Sequence, residues 1–176
     1  SHSVISQKKY VVLSNGEVIT EKFKIGFCWG QNCRKARVIV YSNGIKTEYK
    51  EEQLDSYYTK KRAYIVRHYP QLFDSYAPYR LLLDGEVKVF DADLSDEQHI
   101  ACVELEKNTF FPVTEKLFFK YILPFLNKKI LFKEWYEKTN PIYPSSKNDR
   151  LGGKNQNKVN KFIINVVSMY NGFGKG

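Results

Sequence analysis

The sequence predicts a mixed α+β domain, and three observations carry that expectation. Two Ser-Asn-Gly tripeptides, Ser14-Asn15-Gly16 and Ser42-Asn43-Gly44, each separate runs rich in β-branched and aromatic residues. Asn-Gly supplies the positive φ angles that a tight hairpin needs. In the last third the apolar period changes from two to steps of three and four, the mark of amphipathic helices. The 176 residues are 43% hydrophobic, enough for one packed core, so residues 1–176 read as a single α+β domain.

The elements follow in order. Tyr10-Val11-Val12-Leu13 and Val18-Ile19-Thr20 make a first hairpin, Phe23 to Trp29 a further strand, and Arg37 to Tyr41 with Ile45 to Tyr49 a second hairpin. Leu54, Tyr57, Tyr58, Lys61, Tyr64, Ile65 and Tyr69 recur at helical spacing. Acidic residues precede them and basic ones follow, as the helix dipole favours, so a helix ending at Pro70 is expected. A central three-stranded segment comes next: Tyr79 to Leu83, Glu86 to Phe90 and Ile100 to Leu105, with Asp84-Gly85 as a hairpin turn and Asp93 to Gln98 as a polar turn. Thr114 is placed to cap a helix carrying Leu117, Phe118, Tyr121, Ile122 and Phe125, which Pro124 must kink or stop. Ile130 to Lys138 reads as a second helix, residues 140–157 as a long polar loop, and Val159 to Tyr170 as a final helix ended by Gly172.

Composition narrows the partners. Twenty-eight Lys and Arg against nineteen Asp and Glu give a net charge of +9, which favours encounter with nucleic acid, acidic membranes or acidic proteins. No run approaches the roughly 20 apolar residues of a membrane span; the stretch from Leu117 to Leu126 is broken by Lys120 and Pro124. No membrane partner and no signal peptide are expected. Cys28, Cys33 and Cys102 are too few for a disulfide framework, which points to a reducing, intracellular compartment, cytoplasmic or nuclear. Ser1-His2-Ser3 is expected to be a remnant of cloning.

The leading functional candidate is a basic, Tyr-rich surface for nucleic acid. Phosphates need several cations on one face, and unpaired bases stack on aromatic rings. Three stretches qualify. Arg34, Lys35 and Arg37 lie beside Trp29. Lys60, Lys61, Arg62 and Arg67 interleave with Tyr57, Tyr58 and Tyr64. Arg150, Lys154, Lys158 and Lys161 occupy and follow the long loop. Strands followed by a helix from Phe23 to Tyr69, with Arg37, Tyr41, Lys46 and Glu48 alternating along the sheet, resemble small DNA-binding modules that lay a sheet in the major groove. That resemblance is one of fold alone and covers about a quarter of the chain.

A second candidate is catalytic. Asp91 and Asp93 end one central strand, and Glu104, Glu106 and Lys107 lie on the next. This order resembles the core of the PD-(D/E)xK nucleases, in which such carboxylates hold a divalent ion. The resemblance implies cleavage of nucleic acid with Mg²⁺ or Mn²⁺, with Asp91 or Asp93 as first acid, Glu104 and Glu106 as the second pair and Lys107 as the basic member. Two positions depart from the pattern: no Pro precedes Asp91, and Lys107 falls one residue late.

A third candidate is a zinc site. Cys28 and Cys33 are separated by four residues and His99 and Cys102 by two, together offering four ligands of the types that tetrahedral Zn²⁺ prefers. Against this, Ala101-Cys102-Val103 reads as a buried strand in which the thiol acts as a small hydrophobe. Arg150-Leu151-Gly152-Gly153-Lys154 lacks the spacing of a phosphate loop. The expected function is therefore nucleic-acid binding, DNA first. The rivals are the metal-dependent nuclease and a module that docks an acidic protein through exposed Tyr.

Overall fold

A computed structural model describes residues 9–27, 36–59, 62–72, 75–95, 98–144 and 156–174. It is mixed α+β, as the sequence predicts: antiparallel strand pairs dominate the first two thirds and helices the C-terminal third. The chain divides into two compact units, Ser1–Arg80 and Leu81–Gly176.

In the first unit, β1 (Tyr10–Leu13), β2 (Val18–Ile19), β6 (Leu54–Tyr58) and β7 (Ala63–His68) lie in the order β7-β6-β1-β2. A separate three-stranded sheet has the order β3-β4-β5, from Lys22–Phe27, Ala36–Ser42 and Ile45–Tyr49. Its pairings are antiparallel and in continuous register. The two Ser-Asn-Gly turns form, in two different ways. Asn43 and Gly44 both take positive φ, 49° and 78°, the two-residue turn whose twist matches its strands. In the first hairpin only Gly16 does, at 89°. There the Gly16 amide donates to Leu13 O and the Glu17 amide to Asn15 Oδ1. Val11, Leu13, Leu54, Tyr57 and Val66 of one sheet pack with Phe23, Val38 and Val40 of the other into one core.

The helix expected over Leu54 to Tyr69 is instead the β6–β7 hairpin, with Ser56 opposite Ile65 and Tyr57 opposite Tyr64. The Tyr, Ile, Val and Thr content of this stretch suits a pleated surface better than a helix. The apparent helical spacing came from aromatic residues adjacent in sequence that fall on both faces of a strand. Thr59 closes the turn: its hydroxyl donates to Arg62 O and accepts from the Arg62 amide.

In the second unit, β9 (Lys88–Ser95), β10 (Gln98–Glu106) and β11 (Thr109–Pro112) are consecutive antiparallel neighbours. The division between units falls within β8 (Tyr76–Leu83). The sequence reading missed β11 and placed a polar turn where β9 runs on to Ser95 and β10 starts at Gln98. Thr114 caps the next helical segment as expected, its Oγ1 accepting from the Leu117 amide. That segment neither stops nor breaks before Pro124. It runs as α1 (Glu115–Leu117), a π turn (Phe118–Ile122) and α2 (Leu123–Leu126). Pro124 has no N–H for the carbonyl four residues back, and the widened turn before it accommodates that missing bond.

Two longer helices follow, α3 (Ile130–Thr139) and α4 (Gln156–Gly172). Asn140, at φ 43°, ends α3. Val159, Ile163, Val166, Val167 and Tyr170 of α4 are buried with Val89, Val103, Phe118 and Phe132. Two devices fasten the end of α4. Asn171 exchanges hydrogen bonds with the Val87 backbone, 3.0 and 2.8 Å. The Lys129 ammonium lies 2.8 Å from Glu86 and 3.0 Å from Phe173 O.

Candidate nucleic-acid interface

The β3-β4-β5 sheet sorts its residues by strand alternation. Phe23, Ile25, Val38, Val40 and Tyr49 turn into the core of the first unit. The register then fixes what shares the other face: Lys22 pairs with Tyr41 and Tyr41 with Lys46, Lys24 with Ile39 and Ile39 with Glu48, and Gly26 with Arg37. Four of these residues are cations and one is a carboxylate. Lys22, Lys24, Arg37, Lys46 and Glu48 are all exposed, and Tyr41 is 38% exposed.

The single acid is already engaged, since Arg37 Nη1 lies 3.1 Å from Glu48 Oε1. Gly26 permits the flat course of the Arg37 stem: a Cβ there would come within 3.0 Å of Arg37 Cγ. Lys24 Nζ stands 5.8 Å from the centre of the Tyr41 ring, within reach of its π face. An open groove of about 460 Å³ at β3 is lined by Lys9, Thr20, Glu21, Lys22, Phe23 and Lys24. The face thus combines excess positive charge with one accessible ring, a combination that can hold phosphates and stack a base.

Of the basic residues singled out from sequence, Arg37 belongs to this face. Arg62 is exposed in the β6–β7 turn, and Lys158 and Lys161 are exposed on α4. Arg67 is withdrawn: it is 3% exposed, and its guanidinium donates 3.0 Å bonds to Asp55 Oδ1, Asp55 O and Val66 O. Trp29, Arg34, Lys35, Lys60, Lys61, Arg150 and Lys154 lie outside the described residues. The aromatic residues of the expected helix are committed to packing. Tyr57 is fully buried and stacks on Tyr64 at 5.0 Å, and Tyr58 stacks on Tyr10 at 4.2 Å. Burial and the neighbouring Tyr64 push the Tyr57 pKa up. Sequence reasoning passed over Lys9, Lys22 and Lys24. The available signal was the alternation Lys22-Phe23-Lys24-Ile25, one side charged and one side apolar.

Asp91 and Glu104, the first acid and a member of the second pair in the nuclease resemblance, do not share a face. Asp91 pairs with Ala101 and Glu104 with Lys88. By alternation, Asp91 falls on the side of Val89 and Val103, and Glu104 on the side of Phe90 and Cys102. Glu104 is 3% exposed, whereas Glu106 and Lys107 are exposed. Asp93 pairs with His99 in the register.

For zinc, Cys28 and Cys33 lie outside the described residues, as does the His99 side chain. Cys102 is fully buried and free, and burial, then the Asp91 charge, push its thiol pKa up. That environment disfavours the thiolate a metal would need. Among the described residues no group of three or more His, Cys, Asp and Glu is placed to hold a metal ion, and no helix is long and apolar enough to cross a membrane. Comparison of the chain with protein-family models, with curated proteins and with solved structures returns no match.

Proposed function

We propose that this protein binds nucleic acid, DNA first, through the outer face of the β3-β4-β5 sheet. One observation carries the reading: register places Lys22, Lys24, Arg37 and Lys46 on one exposed face, where the only carboxylate, Glu48, already pairs with Arg37. A duplex presents one phosphate charge per about 1.7 Å of axis, and each phosphate neutralised releases a condensed counterion. The affinity of such a face is electrostatic at root. Binding, rather than cleavage, is the reading, because Asp91 and Glu104 lie on opposite sides of the β9–β10 pair.

Salt dependence tests the proposal. With about three phosphates engaged, the slope of log K against log salt is expected near −2 to −3. A flat response between 50 and 200 mM salt, on conditions that span the predicted loss, rejects it. Adding Mg²⁺ in the same titration tests the rival: binding alone leaves the labelled strand intact, whereas the nuclease reading expects it to be cut.

A further inference from the structure

Resting on that reading, we infer that the preferred ligand is a single strand, with one base stacked on Tyr41 and the neighbouring nucleotide seated in the groove at β3. The row of the face nearest the β4–β5 turn is Lys22–Tyr41–Lys46, one residue from each strand. Adjacent strands lie about 4.8 Å apart, so the ring has an ammonium-bearing chain on either side at phosphate-binding range. An unpaired base offers a π face to such a ring; a duplex keeps its bases stacked on one another and offers only their edges.

Width argues the same way. The major groove, about 12 Å across, takes a helix or a two-stranded ribbon. A third strand adds about 4.8 Å of backbone before side chains are counted. The groove of about 460 Å³ continues the track at the β3 edge, because Lys22 and Lys24 line it as well as belonging to the outer face, and Lys9 adds a third cation against the one carboxylate of Glu21. In the free protein Lys24 Nζ lies over the Tyr41 ring. An arriving base takes that position, and the Lys24 ammonium turns to the phosphate.

The test is a titration of the full chain with a fluorescent oligonucleotide, as a single strand and as its duplex, at one salt concentration. The single strand is expected to bind at least 10-fold more tightly. Tyr41→Phe keeps that affinity within 2-fold, while Tyr41→Leu, which retains apolar bulk and loses the ring, weakens it about 5- to 150-fold and weakens duplex affinity less. Lys9→Ala weakens the single strand and makes the salt slope shallower. A single strand carrying 2-aminopurine, bound by the unmodified chain, is expected to lose emission as the base stacks.

Equal or tighter duplex binding overturns the inference, as does a Tyr41→Leu variant of unchanged affinity or 2-aminopurine emission that fails to fall. If Lys22→Glu/Lys46→Glu still abolishes binding in those cases, the sheet face stands as a nucleic-acid surface and only the stacked single strand is lost. If that double variant binds like the parent, the face itself is wrong and both readings fall.

Discussion

Arg37 and Arg67 make ion pairs of nearly equal length, 3.1 Å to Glu48 and 3.0 Å to Asp55, in two regions of the first unit that use them in opposite ways. On the β3-β4-β5 sheet, the Arg37 and Glu48 side chains are 57% and 41% exposed. In the β6–β7 hairpin, those of Arg67 and Asp55 are 3% and 23% exposed. Solvent screens the first pair, so forming it adds little and releasing it costs little. In the second pair the guanidinium has left water while Asp55 is only partly buried, and that guanidinium also serves backbone carbonyls. The lesson is that the burial of a charge, more than its place in a basic run, decides whether it holds the fold or is available to a ligand.

The widest gap the comparison predicts is in stability. Arg67→Ala takes a buried guanidinium away from a partly buried carboxylate and two carbonyls and is expected to cost about 3–5 kcal/mol in urea denaturation. Arg37→Ala is expected to cost about 0–1 kcal/mol. Similar losses for the two variants would break the contrast. Binding should invert the order: Arg37→Ala weakens nucleic-acid affinity several-fold and lowers the salt slope by about one, while a folded Arg67→Lys variant leaves both unchanged.

A comparable loss is expected where the core has no charge at all. Phe118 is fully buried and meets the rings of Tyr143 and Phe162 at 5.6 and 5.2 Å. Phe118→Ala should cost about 3–5 kcal/mol, measured by the same denaturation.

A smaller effect sharpens the contrast by pH. Burial first, then the charge and hydrogen bond of Glu86, push Tyr170 up to about 12 from its ordinary 10.0. The unfolded chain therefore gives up this proton before the folded one does. The stability linked to Tyr170 is whole below pH 10 and drains away as pH rises from 10 towards 12. Tyr170→Phe should lose about 1 kcal/mol at neutral pH with its hydroxyl bond to Glu86, and should fall less steeply across that window. An unchanged alkaline slope would remove Tyr170 from the account.

The smallest change falls on the exposed face. Lys46→Ala should alter the melting temperature by no more than a degree or two, because surface substitutions usually stay within about 0.5 kcal/mol.

Much of the fold was legible where one residue type forces one backbone choice. Asn-Gly pairs marked both early hairpins, Thr114 marked a helix start, and the steps through Val159, Ile163 and Tyr170 marked α4. The β6–β7 hairpin was not legible, because Leu54, Tyr57 and Tyr58 satisfy a helical spacing by accident while Tyr and Val favour the strand by propensity. Its turn lacks an Asn-Gly signal and depends on the Thr59 hydroxyl.

The candidate site was legible in kind and only partly in place. Arg37, Tyr41, Lys46 and Glu48 could be seen to alternate, but Lys22 and Lys24 join them only through the β3–β4 register, a long-range fact that no local pattern carries. Arg67 shows the converse: nothing in its neighbours announces that Asp55 will neutralise it from the adjacent strand.

The most direct test of the central claim compares two charge reversals of equal size. Lys22→Glu/Lys46→Glu changes the outer sheet face; Lys128→Glu/Lys133→Glu changes exposed lysines before and within α3 in the other unit. Measured by fluorescence anisotropy at about 0.1 M salt, the sheet variant should lose roughly 100-fold in affinity, as two attractions become two repulsions, and the helix variant should lose only a few-fold. Equal losses would reduce the binding to net charge alone, and a sheet variant that binds like the parent would contradict the account outright.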